Sequence, residues 1–203
     1  MKKVTGFLGV ALLATSLLSG CGGTAKEVLE IGRSDQRNPG PCPRAFALYE
    51  AARIVEFKDD KQRYANVGFT GEIQNVRSLC RYFGTRPITG DLEIIFDLGR
   101  GPAVEGQSTA RYEYFVAVTR KNIAVIDKKT FPLDVTFPEG QDRVRVRETL
   151  DEIVIPRANE GTSGENFEII VGFEITPEQR LFNEEGRRFR ITAGQNRSPA
   201  ANP

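Results

Sequence analysis

Arg143, Arg145 and Arg147 alternate with Val144 and Val146, which puts three guanidinium groups in a row on one face of a strand. Such a row can bind a phosphate, a carboxylated glycan or an acidic partner. The competing reading is a solvated sheet face balanced by acids on the next strand, and Glu148, Asp151 and Glu152 follow at once. Carboxylates are plentiful enough for a paired-acid hydrolase, but no spacing singles out two of them. Tyr112 and Tyr114 share a strand face with Val116 and Val118; they read as a sugar platform or, more simply, as sheet core. Gly99-Arg100-Gly101-Pro102 lacks the following helix and the Lys-Ser/Thr pair of a phosphate loop and reads as a turn. With no His in the chain, Ser-His-Asp and Cys-His groups and His-ligated metals are excluded, and no SxxK supplies a Ser-Lys dyad. The expectation is no enzyme, no cofactor and no metal.

The N-terminal residues address the chain. Lys2 and Lys3 precede an apolar run from Val4 to Leu18, 15 residues long, too short for a bilayer core and right for the apolar region of a signal peptide. Leu18-Ser19-Gly20-Cys21 follows. These residues resemble the lipobox of bacterial lipoproteins, and behind it the chain looks like the envelope lipoproteins of Gram-negative bacteria. The resemblance covers about residues 1–21. It implies removal of residues 1–20, a diacylglyceryl thioether on Cys21 and acylation, such as palmitoylation, of the new terminus. Two or three acyl chains, at about 0.8 kcal/mol per buried CH₂, anchor stably where one does not. Gly22 rather than Asp after the cysteine implies, by the same resemblance, the outer membrane, with the domain in the periplasm.

Charge leaves the acyl chains to do the anchoring. Lys+Arg number 28 and Asp+Glu 27, a formal +1. Losing Lys2 and Lys3 with the leader turns this slightly negative, with no polybasic segment beside the lipid. A near-neutral chain gives a nucleic-acid partner no electrostatic support.

In an oxidising periplasm the two remaining cysteines, Cys42 and Cys80, read as a disulfide. Buried free thiols are the alternative; no CxxC argues for redox chemistry.

The elements behind these residues are strands. Leu92, Ile94, Phe96 and Leu98 alternate with Asp91, Glu93, Ile95 and Asp97, and 112–118, 131–137 and 167–175 show the same period of two. Shorter candidates are 54–57, 66–73, 78–83, 123–127, 143–147, 152–155 and 188–192, separated by Gly- and Pro-rich turns. Residues 47–53 favour one continuous strand, with a helical turn as the alternative. Without long helical crossovers, the pattern predicts an all-β chain: an immunoglobulin-like or fibronectin-like β-sandwich with one short helix near the C-terminus. An open barrel stands second. The helix opens at Thr176-Pro177-Glu178-Gln179, a capping box, with Leu181 and Phe182 as its apolar face sealing one end of the sandwich and Gly186 at its stop. The expected division is a leader over 1–20, lipidated Cys21 and tether over 21–41, the sandwich over 42–192 and a disordered tail over 193–203.

The functional expectation is a lipid-anchored scaffold or accessory subunit that acts on an envelope protein partner. The strand over 166–176, if it lies uncovered at an edge, is the candidate docking element. Two other readings stay open: a binding module for an envelope glycan or lipid, with a concave or Arg-lined site between the sheets, and a carboxylate-based hydrolase.

Overall fold

The computed structural model describes residues 38–189. The domain is an all-β sandwich with one short helix near its C-terminus. Its strands are β1 (Arg44–Ala47), β2 (Arg53–Phe57), β3 (Val67–Arg81), β4 (Ile88–Arg100), β5 (Thr109–Arg120), β6 (Ala124–Thr136), β7 (Arg143–Ile155) and β8 (Phe167–Phe173). The helix is α1 (Pro177–Glu184). One sheet has the order β1-β8-β5-β6 and the other β2-β3-β4-β7. Four strands a side differ from the four and three of a constant-type immunoglobulin domain. All pairs are antiparallel except β1 with β8.

Alternation builds the core. Leu92, Ile94, Phe96 and Leu98 on β4 all point inward and are buried. Tyr112 and Tyr114 on β5 and Ile169, Val171 and Phe173 on β8 meet them from the opposite sheet. Phe96 lies 5.1 Å from Tyr114 and 5.6 Å from Phe173 between ring centres. Gly71 on β3 makes this close approach possible, because a Cβ there would sit 2.8 Å from the Phe173 ring. The space between the sheets is thus filled by side chains.

Several strands are longer than their sequence periods suggest. The candidates 66–73 and 78–83 are one strand, β3, carried through an irregularity between Ile73 and Asn75. A bulge also hides the continuity of β7, between its partners Gly90 and Leu92 on β4. Each bulge adds a residue, so the inward set changes parity and the run reads as two. Gly99 and Arg100 belong to β4 and not to a turn. The expected single strand over 47–53 is overturned: a turn of 3-10 helix (Tyr49–Ala51) separates β1 from β2, and the two strands lie in different sheets. Of the candidate 188–192, residues 188 and 189 are irregular and the rest lies outside the described residues.

The helix forms as its signals require. The Thr176 hydroxyl accepts from the Gln179 N–H, and the Gln179 side chain accepts from the Thr176 N–H. At the other end Gly186 adopts a φ of +71°. The Arg187 N–H reaches the Phe182 carbonyl and the Gly186 N–H that of Asn183, a Schellman stop. The position differs from expectation. α1 packs on the outer face of the β2 sheet, with Phe182 buried beside Val55 and Phe57, while Leu181 is exposed. Two polar side chains fix it there. Asn183, fully buried, donates to the Glu50 and Arg53 carbonyls, and Gln179 donates to that of Val55. Two of these bonds occupy β2 carbonyls, those of Arg53 and Val55.

Candidate functional site

The Arg row lies where alternation puts it, on the exposed face of β7, and β4 answers it with acids. Arg145 grips Asp97 through two hydrogen bonds, of 2.6 and 2.9 Å. Arg143 approaches Asp97 at 4.0 Å, and Arg147 reaches Glu93 at 3.0 Å. Glu93 also receives Arg77 of β3 at 2.7 Å. The row is therefore part of a cross-strand ion network. The hydrogen bond from Arg145 holds the Asp97 carboxyl below its ordinary value, and that from Arg77 does the same for Glu93.

A depressed carboxylate pKa has one sign in stability. The contribution is present above the unfolded pKa, and it is lost as pH falls through the folded one. Asp97→Asn is expected to melt slightly below wild type at pH 7, since exposed pairs contribute about 0–1 kcal/mol. The two melting curves should converge as pH falls through the lowered folded pKa and the wild-type carboxylate is protonated. A pH series of thermal melts checks this; a gap that stays constant as pH falls to the acid end of the series would show that Asp97 acts by shape and not by charge.

Cys42 and Cys80 form a disulfide, with Cα atoms 5.7 Å apart. The surrounding chain is anchored more widely than the bridge alone. Asn38 donates to the Cys80 carbonyl and accepts from the Tyr82 N–H. The buried Tyr82 hydroxyl donates to the Pro41 carbonyl and accepts from the Gly164 N–H. Residues 38–41, assigned above to the tether, are thus seated on the domain. Cys21 lies outside the described residues.

Other candidates are redistributed. Tyr112 and Tyr114 are core residues, 2% and 1% exposed, and offer no platform to a sugar. Burial, with Glu148 as a lesser contributor, pushes the Tyr114 phenol up to about 12. The strand expected at an edge is internal: β8 lies between β1 and β5. Along it Phe167, Ile169, Val171 and Phe173 are buried, with Glu168 and Ile170 half-buried between them. The edges are elsewhere. β6 and β7, 13 residues each, end their sheets on the flank away from β1 and β2, and among the described residues no strand pairs beyond them. β7 is guarded by its charges. The hairpin end of β6 is not: Ile123 (69% exposed), Val125 (63%) and Ile126 (42%) stand in solvent. The alternation test missed this stretch as an edge because Val125 and Ile126 are adjacent: β6 carries a bulge at Ile126, the extra residue opposite Val118 and Thr119 of β5, and both side chains are exposed.

One further feature carried no sequence signal. Between the β2 sheet and the segment after α1 lies a cavity of about 210 Å³, lined by Arg53, Glu72, Asp97, Arg143, Arg188 and Phe189 among others. No group of three or more His, Cys, Asp or Glu that could hold a metal occurs among the described residues. Compared with protein families, curated proteins and solved structures, the chain gives no match.

Proposed function

We propose that the protein is a lipid-anchored component of the bacterial cell envelope, held at the outer membrane through Cys21. Its domain stands in the periplasm and acts by protein–protein contact rather than by catalysis. The observation that carries the reading is the register of Lys2-Lys3, the 15-residue apolar run and Leu18-Ser19-Gly20-Cys21. The fold supports the second half of it. A strand edge with apolar side chains in water is a template for an extended segment of another protein. β6 offers Val125 and Ile126 to apolar partner side chains. The partner of this surface is thus an extended, apolar segment of an envelope protein.

The test is fractionation of cells carrying wild type or Cys21→Ala, with a photo-crosslinking residue placed at Val125. Wild type is expected in the outer membrane, its intact mass showing acyl chains on residue 21, with one recurrent crosslinked protein. Cys21→Ala is expected to leave that fraction, either unprocessed at the inner membrane or released. A native mass with an unmodified Cys21 overturns the anchor. Recovery of the wild-type protein uncrosslinked overturns β6 as the contact.

A further inference from the structure

Arg53 stands out among the charged residues of the domain. It is 8% exposed, and its Nε and Nη2 have no acceptor among the described residues. Its guanidinium carbon lies 5.1 Å from the centre of the Tyr49 ring. A buried guanidinium whose N–H groups meet no acceptor is costly, and natural structures rarely leave one unanswered.

Its position explains how it came to be buried. Arg53 pairs in register with Glu72, Glu72 with Asp97, and Asp97 with Arg145, so one charged row crosses the outer face of all four strands. The Arg145 end is open to water. At the Arg53 end the chain folds back over the sheet. The Schellman stop at Gly186 reverses its direction, and Phe189 then packs 5.7 Å from Phe57 and 6.0 Å from Phe182. Arg187 and Arg188 are carried to the rim of the cavity by this reversal, and Arg53 lies in its wall.

The charges do not cancel. Arg187 is engaged by Glu185 at 2.7 Å and by Gln62. Arg143 and Arg145 share Asp97. Arg53 and Arg188 have no ion pair among the described residues, and Glu72 is the one lining acid in the same condition. The cavity is therefore net positive.

We infer that this cavity binds a small tetrahedral oxyanion, a phosphate group, with Arg53 as its buried anchor and Arg188 as its outer clamp. The two guanidinium groups come from different walls, the sheet and the segment after α1. A planar carboxylate presents both oxygens to one side and suits a single fork; a tetrahedral group has oxygens for both walls. The volume admits a phosphate with a few attached heavy atoms. Free phosphomonoesters and phosphate-bearing lipid headgroups share this chemistry. The inference is independent of the lipid anchor and of the β6 edge.

The test uses the full-length protein in neutral detergent, with inorganic phosphate as the probe and chloride at equal ionic strength as the control. Phosphate at about one hundred times its Kd should raise the wild-type melting temperature by about 5 °C or more over chloride. Arg53→Met should melt no lower than wild type in chloride, because it removes an unanswered charge, and should lose the phosphate response. Arg188→Gln, an exposed change, should weaken phosphate binding about fivefold while leaving the melt in chloride unchanged. Glu72→Gln should tighten binding about threefold by removing a like charge. No phosphate-specific shift in wild type overturns the inference. So does an Arg53→Met or Arg188→Gln protein that keeps the full response. A Glu72→Gln protein that melts well below wild type in chloride would also overturn it, because Glu72 would then be Arg53's internal counter-charge. Glycerol phosphate and phosphatidic acid vesicles, run against phosphatidylcholine vesicles, separate the two sources: a response to either supports the site and names its origin.

Discussion

Replacing Cys42 and Cys80 together by Ser lowers the melting temperature of the domain by about 10 °C. The bridge closes a loop of 38 residues. The chain-entropy model assigns about 4 kcal/mol to a loop of that length, through the unfolded state. The position adds to the effect. β1 has four residues and depends on one parallel pairing, with β8. The segment before it is held by the disulfide, by Asn38 and by the Tyr82–Pro41 hydrogen bond. Without the bridge this corner opens first, and the Gly164 N–H loses a well-positioned acceptor as Tyr82 is freed. Thermal melts of the double variant, and of wild type with and without dithiothreitol, measure the loss. Equal melting temperatures in all three samples would show that the bridge contributes no net stability.

Phe96→Ala is expected to cost about 3–5 kcal/mol, the range for a fully buried aromatic whose site cannot collapse. Phe96 is 0% exposed and sits in the middle of β4, itself flanked by β3 and β7. Its ring touches Tyr114 and Phe173 of the opposite sheet, so truncation opens a cavity bounded by both layers. Neither neighbour can move in. Phe173 is already against Gly71 and Tyr112, and the Tyr112 hydroxyl is tied to the Thr70 carbonyl. Urea titration should show a lower midpoint with an unchanged slope. A loss below about 1 kcal/mol would mean that the core relaxes into the space.

Where side chains face two different environments, the residues announce the fold. β4 and β5 are legible because each alternates a dry face with a wet one, and α1 because Thr176, Pro177, Gln179 and Gly186 each perform a local backbone task. The harder positions are those where a third layer intrudes. Arg53, Val55 and Phe57 share the outer face of β2 and should by rule be wet, yet α1 and Phe189 cover them. Two apolar residues on a nominal solvent face are the signal that a cover exists, but nothing in their spacing names it. Ala47–Arg53 misleads for another reason. It has no Gly or Pro to mark the change of sheet, so the turn at Tyr49–Ala51 is set by tertiary packing, with Ala51 buried and Leu48 bonded to Val171. The Arg row was legible as a surface; that β4 supplies Glu93 and Asp97 opposite it depends on a strand pairing 48 residues apart in sequence.

The two flanks of the sandwich are unlike. On one, the side chains of Asn183 and Gln179 take up the carbonyls of β2, and β1 adds only four residues. On the other, no strand pairs beyond β6 or β7 among the described residues. A ribbon that lengthens by strand addition needs a free margin at both ends of every member. With the long margins of the described domain on a single flank, the proposed strand addition favours a closed pairing over open-ended growth.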